Sequence, residues 1–214
     1  KPDLLHVTNT FPLLSFSVYS AARDENIPVV QSLHNYQLIC PNAQFMRRGK
    51  LCENCMSELF PYSAVVHACY RDSRIISAVT AAMLFYHRLI RTFSNKVDTF
   101  IALTEFQKQK LVEWGLNEEQ IQIKNNFLSP DPGFSAGGGV FALYAGRLSA
   151  EKGIDFLLEV WRELPDDMEL KIIGKGPLSE LAVKASAECK NIEYLGNKPR
   201  RELLEIIGEA AYLV

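Results

Sequence analysis

A chain of 214 residues with 48% apolar and 22% charged side chains demands a packed core and excludes wholesale disorder. Its 23 basic and 25 acidic residues leave a net charge of −2, which excludes bulk attraction to nucleic acid. No run approaches the ~20 apolar residues that span a bilayer, Lys1-Pro2-Asp3 does not open a signal peptide, and five cysteines are too few for a secreted disulfide scaffold. The expected compartment is the cytoplasm.

In chain order, Leu4-Leu5-His6-Val7 is a short strand, 14–26 a helix, and 29–33, after Pro28, a strand of the buried type. Residues 36–70 lack a clean period, hold four of the five cysteines, and read as one elaborated loop. A single long helix is expected over 71–95. Ile75, Val79, Ala82, Tyr86, Leu89, Ile90 and Phe93 recur along it at helical spacing, as the face that turns to the core. A strand over 99–103 leads to a helix capped by Thr104, with Gln107 in the capping-box position and Trp114-Gly115 at its end. Residues 121–127 form the next strand.

Ser129-Pro130-Asp131-Pro132-Gly133 and the glycines at 137–139 mark a linker over 129–139, between domains at 1–128 and 140–214. Beyond it the alternation becomes regular: strand 140–145; a helix with Ile154, Leu157, Leu158, Trp161 and Leu164 on one face; strand 170–173; helix 178–189; strand 192–195; a helix bearing Leu203, Leu204 and Ile207; and a strand from Tyr212. Such alternation belongs to an α/β fold, a parallel sheet covered by helices on both faces.

The turn Gly146-Arg147-Leu148-Ser149-Ala150-Glu151-Lys152-Gly153 joins the first strand of the second domain to its first helix. Ligands of open parallel sheets sit at the carboxyl ends of strands, and a helix N-terminus there offers unpaired N–H groups to an anion. Arg147 and Lys152 add two cations, enough to neutralise a diphosphate without a metal, and no Asp-x-Asp pair is present to hold one. As solvated charges flanking an ordinary βα turn they read equally well. Gly174-Lys175-Gly176-Pro177 and Gly196-Asn197-Lys198-Pro199 close the next two strands, where glycine admits a close backbone approach. No Gly-x-Gly-x-x-Gly follows a strand, which weighs against a nicotinamide enzyme.

Cys40, Cys52, Cys55 and Cys69 have a spacing that suits a closed tetrahedral zinc site with structural, not catalytic, purpose. The same spacing is compatible with four reduced, partly buried thiols. Residues 44–96 carry eight basic side chains against three acidic, leaving 15 basic and 22 acidic elsewhere. Within them Arg71, Arg74, Arg88 and Arg91 flank the apolar helix of 71–95, either as the solvated edge of a core helix or as a contact for anionic lipid or a polyprenyl-phosphate acceptor.

In order, GRLSAEKG, IIGKGP and YLGNKP resemble the donor-binding domain of the retaining family-4 glycosyltransferases. HVTNTFPL, SLHNYQLICPNAQFMRRGKLCENC and IALTEFQKQKL are similar to the second half of their acceptor domain. The resemblance covers nearly the whole chain. It implies two Rossmann-like domains facing across a cleft, both incomplete here. The implied activity is transfer of a hexose, with retention, from a nucleotide sugar to a glycan or polyprenyl-phosphate-linked acceptor, with no catalytic cofactor.

The resemblance further implies that Arg147 and Lys152 hold the diphosphate and that Gly146, Gly174, Gly176, Pro177 and Asn197 border the nucleotide. His34 would be the catalytic residue reaching the donor sugar, and Asn126 would line the crevice; from the residues alone, His34 is a loop histidine bonded to backbone carbonyls. Relatives that build surface polysaccharides make an anionic membrane the implied workplace. The family's sugar-binding glutamates, eight residues apart, fall beyond Val214, and its glycine-rich N-terminal loop does not occur. A protein ending at Val214 is therefore expected to be inactive in transfer and prone to associate. A sugar-nucleotide epimerase of the same architecture and a non-catalytic sugar-nucleotide-binding module are the alternatives.

Overall fold

The computed structural model describes residues 1–8, 11, 14–131, 133 and 139–214. Residues 132 and 134–138 of the expected linker, and 9, 10, 12 and 13 of the first family-like motif, lie outside the described residues. The chain divides into two compact units, Lys1–Phe127 and Leu128–Val214. Each is built on a four-stranded parallel sheet.

The first unit runs β1 (Leu5–Val7), α1 (Ser17–Asp24), β2 (Val29–Leu33), β3 (Met46–Arg47), β4 (Lys50–Leu51), α2 (Tyr62–Val66), α3 (Arg74–Leu89), α4 (Thr92–Lys96), β5 (Thr99–Ala102), α5 (Glu105–Trp114) and β6 (Ile121–Ile123). Its main sheet has the order β1-β2-β5-β6. Val29 and Leu33 of β2 and Phe100 and Ala102 of β5 are buried with Phe16, Tyr19, Phe93 and Leu111 in one core. Thr104 Oγ1 accepts the N–H of Gln107 at 3.1 Å, the expected cap. Gln107 Oε1 reaches the N–H of Leu103 at 2.8 Å, one residue before the cap, so the box closes on the strand end. Gly115 ends the helix at φ 111°, a conformation that glycine adopts without a Cβ clash.

Four expectations for this unit are corrected. The loop of 36–70 is not without elements: it holds the β3–β4 hairpin, a tight turn at Asn54–Met56 and α2. The helix expected over 71–95 is two helices. Arg91 takes a left-handed conformation, φ 52°, between α3 and α4. That break lets Thr92 Oγ1 meet the buried ring of His87 at 2.9 Å and sends Phe93 into the core.

The apolar stripe of α3 also faces the other way. Ile75 is 78% exposed, Val79 64% and Tyr86 56%, whereas Ser77, Thr80, Ala81, Leu84 and His87 point inward. Local bonds make that inward face affordable: Ser77 Oγ accepts the N–H of Tyr70 at 2.9 Å, and Thr80 Oγ1 donates to the carbonyl of Ile76 at 2.9 Å. β6 is shorter than expected, with 124–127 exposed beyond it.

The second unit runs β7 (Phe141–Ala145), α6 (Ile154–Glu163), β8 (Glu169–Ile173), α7 (Ser179–Glu188), β9 (Ile192–Gly196), α8 (Arg200–Glu209) and β10 (Tyr212–Leu213), with sheet order β10-β7-β8-β9. Alternate strand residues serve opposite faces. Ala142, Tyr144, Leu170 and Ile172 pack with Ile154, Leu158 and Trp161 of α6 and Ala182 and Ala185 of α7. Phe141, Leu143 and Ile173 pack with Leu203, Ile206 and Ile207 of α8. The buried amide of Asn191 donates to the carbonyl of Trp161 at 3.1 Å, tying the end of α6 to the start of β9. Among the described residues, no helix is long and apolar enough to cross a membrane.

Candidate functional site

β7 has β8 on one side and β10 on the other, while β8 and β9 run on away from it. The strand order therefore reverses at β7, and ligands of open parallel sheets sit at the carboxyl end of such a switch point. The turn of residues 146–153 lies there, between β7 and α6.

Backbone bonds stitch the three carboxyl-end turns of this unit together. Gly146 N–H donates to Ile173 O at 3.0 Å, Leu148 N–H to Lys175 O at 3.1 Å, Leu178 N–H to Leu148 O at 3.0 Å, and Gly174 N–H to Gly196 O at 2.8 Å. Gly174 has φ 139°, and a Cβ on it would fall onto the carbonyl of Gly146; one on Gly176 would fall onto that of Leu148. The close approach that requires glycine at 174 and 176 thus comes from the neighbouring turn. Tyr144 and Tyr194 complete the lacing, donating to Arg147 O at 2.8 Å and Gly174 O at 2.9 Å.

On this frame Arg147 and Lys152 are exposed, and neither forms an ion pair within 4.0 Å among the described residues. Glu151 stands between them. The Ser149 hydroxyl, the backbone amide of Glu151 and, more weakly, Arg147 and Lys152 hold its carboxyl below the usual range, so one negative charge partly offsets the two cations. Ser149 is buried, and its hydroxyl is directed at the Glu151 carboxyl. A recess of about 580 Å³ opens alongside, lined by Tyr144, Gly146, Lys152, Gly153, Phe156 and Val160 among others. Pro177 and Asn197 are exposed on the second and third turns. Sequence reasoning passed over Lys175, a third exposed cation between the two packed glycines; its position after β8 was the available signal.

In the first unit the carboxyl ends of β2, β5 and β6 share one edge, because the strands are parallel. His34 is exposed directly after β2, and Asn126 is exposed three residues after β6, so both emerge at that edge with β5 between their strands. Gln107, buried at the start of α5, donates to Asn35 O at 3.5 Å and so ties down the backbone beside His34.

The four cysteines of 36–70 come together. Cys40, Cys52, Cys55 and Cys69 line one cavity of about 10 Å³ with His67, Arg47 and Asn42. Burial, then neighbouring Cys40, Glu58 and Cys69, push the Cys55 thiol up to about 12. Arg88 is not part of an exposed basic face. Its guanidinium is driven inward, where it donates to Glu58 O at 2.6 Å, Leu59 O at 3.2 Å, Leu38 O at 3.3 Å and Ile39 O at 2.6 Å, and it lies 5.3 Å from the Trp114 ring. Cys189 packs against the core of the second unit.

The α/β fold thus places the stitched, cation-bearing turn at a switch point of a parallel sheet, the position where ligands of such sheets bind. Residues 130–214, within the second unit, match the family described as Glycosyl transferases group 1. An uncharacterized 42.6 kDa protein of the cps region of Klebsiella pneumoniae is 23% identical over 208 residues, covering 96% of this chain and 49% of that protein. Among solved structures, the lipopolysaccharide outer core galactosyltransferase WaaB, apo form, aligns with a TM-score of 0.53 and 14% identity over 99% of this chain and 49% of that one. HepE from Anabaena, in complex with UDP, aligns with a TM-score of 0.53 and 13% identity over 92% and 49%. The pneumococcal O-GlcNAc transferase GtfA, in complex with UDP and GlcNAc, aligns with a TM-score of 0.50 and 21% identity over 92% and 35%. The fold therefore resembles that of GT-B glycosyltransferase domains, and the chain spans about half the length of the curated relative it matches.

Proposed function

We propose that this chain forms the core of a retaining glycosyltransferase that moves a hexose from a nucleotide-sugar donor to a glycan or lipid-linked acceptor. The observation that carries the reading is the placement of Arg147 and Lys152 on the stitched turn at the end of β7, where the sheet order reverses. Charge grows on the departing diphosphate as the glycosidic bond breaks, and fixed cations and backbone N–H groups lower that barrier without reorganising. Arg147, Lys152 and the free N–H groups at the start of α6 supply that field, with Ser149 and Lys175 beside them. Gly146, Gly174, Gly176, Pro177 and Asn197 border the nucleotide, and His34 contacts the donor sugar.

The deciding experiment uses the whole protein and calorimetry with UDP, GDP and ADP, each against its nucleoside. Arg147→Ala and Lys152→Ala each weaken the preferred diphosphate by about tenfold or more and leave its nucleoside unchanged. Equal losses for both ligands put the two residues outside the phosphate site. Turnover of the sugar nucleotide only when an acceptor is present separates a transferase from an epimerase, and His34→Ala lowers that turnover more than donor binding.

The acceptor is assigned to the surface of an anionic, cytoplasmic-side bilayer. The outward stripe of Ile75, Val79, Tyr86 and Leu89 on α3, with exposed Arg71, Arg74 and Arg91, supports this. An apolar stripe bordered by guanidinium groups complements a leaflet of anionic lipid, and a polyprenyl phosphate presents the same chemistry.

A further inference from the structure

Cys40, Cys52, Cys55 and Cys69 leave the chain at four separate points: the turn after β2, the end of the β3–β4 hairpin, the tight turn at Asn54–Met56, and the end of α2. Their side chains nevertheless line one cavity of about 10 Å³, which is the space of a single small ligand atom or water and no more. Two guanidinium groups attend it. Arg88 bridges the carbonyls of Leu38 and Ile39, before Cys40, and those of Glu58 and Leu59, after Cys55. Arg47 lines the cavity itself.

The surrounding backbone is under constraint as well. Ala43, Phe45, Arg48 and Ala68 hold left-handed φ angles of 67°, 52°, 52° and 51°. Such conformations persist in residues with a Cβ only where their surroundings over-determine them. A segment of this length with only a two-residue hairpin, a tight turn and a five-residue helix has little secondary structure to do so.

We propose that Cys40, Cys52, Cys55 and Cys69 form a structural zinc site that clamps residues 36–70 onto the first unit. The step is coordination without redox change: four thiols lose four protons to solvent, and one Zn²⁺ takes their place among four thiolates, giving a centre of net charge −2. Arg47 and Arg88 offset that charge. Among the described residues no group of three His, Cys, Asp or Glu side chains already stands in ligating positions. Loading therefore turns the Cys40 sulfur away from Asn42 Oδ1, to which it donates at 2.9 Å, and draws all four sulfurs to the ~2.3 Å of a zinc–thiolate bond. The proposal is independent of the glycosyl-transfer reading.

The test is elemental analysis of the whole protein, purified under reducing conditions without a metal-affinity tag or added metal. About one zinc per chain is expected. Cobalt(II) exchanged into the same protein then shows the intense thiolate charge-transfer and tetrahedral ligand-field bands. The Cys52→Ser/Cys55→Ser variant loses the zinc; should that variant fail to fold, the cobalt spectrum of the unaltered protein still decides. Zinc near zero with four thiols that react freely in the native state overturns the proposal. So does a mass showing two disulfides, or a cobalt spectrum without thiolate bands.

Discussion

The hydroxyl of Tyr144 donates to the carbonyl oxygen of Arg147 at 2.8 Å, so the last buried residue of β7 braces the turn that carries the first cation. Tyr144 is buried, and burial, with Glu151 adding to it, raises its phenol above the ordinary value; it stays a donor throughout the neutral range. Tyr144→Phe keeps the packing and removes only this bond. Affinity for the preferred nucleoside diphosphate is expected to fall about threefold to tenfold, the worth of one hydrogen bond, with the nucleoside unaffected. Calorimetry on the whole protein checks it, and an unchanged diphosphate affinity shows that the turn holds its shape without the tyrosine.

Arg88 acts as a staple. Replacing it by Met fills similar volume but leaves four carbonyls without their charged donor, and the first unit is expected to lose roughly 2–4 kcal/mol. Arg88→Lys is expected to recover little, because one ammonium cannot reproduce a planar fork that reaches two carbonyl pairs. Urea unfolding measures the loss, and amide exchange places it in residues 36–61. Full recovery with lysine reduces the staple to a plain charge.

His87 predicts a pH dependence. Burial, reinforced by Lys96, lowers its folded pKa below the ordinary 6.5, and its ring faces Thr92, Phe16, Tyr86 and Phe93. The unfolded chain then binds the proton first. The contribution to stability is complete above 6.5 and is lost as pH falls from there toward the lower folded value. Melting temperature is expected to drop between about pH 7.5 and about pH 5.5, and His87→Gln, which still bonds Thr92 but does not titrate, flattens that drop. A parallel drop in both proteins assigns the dependence to other groups.

The outward stripe of α3 predicts membrane behaviour. The whole protein is expected to sediment with vesicles rich in phosphatidylglycerol and far less with phosphatidylcholine vesicles. Arg74→Ala with Arg91→Ala weakens the anionic binding by roughly tenfold or more, at about 1 kcal/mol for each cation near the surface. Val79→Glu abolishes it. Equal binding to both vesicle types, or none, removes the bilayer as the occupant of this face.

Much of this protein was legible in one dimension, because strand and helix periods are local. β2, β7, β8 and the helices α6 and α7 stand within a residue or two of where apolar spacing placed them, and Thr104 caps α5 through a bond that spans only three residues. The turn at 146–153 was visible for the same reason: a glycine, two cations and a helix start lie within eight positions. Tertiary structure decided what depends on distant partners. Periodicity found the apolar stripe of α3, but only the packing of Ser77, Thr80 and His87 against the first unit determined that the stripe faces outward. The spacing of glycines 174 and 176 suggested a ligand, whereas the residues pressing on them belong to a turn about thirty positions earlier. Arg88 looked like a surface cation because its four carbonyl partners lie some thirty to fifty residues away. The meaning of the 146–153 turn itself rests on β10 pairing with β7, a contact between residues about seventy positions apart that makes β7 the point where the sheet reverses.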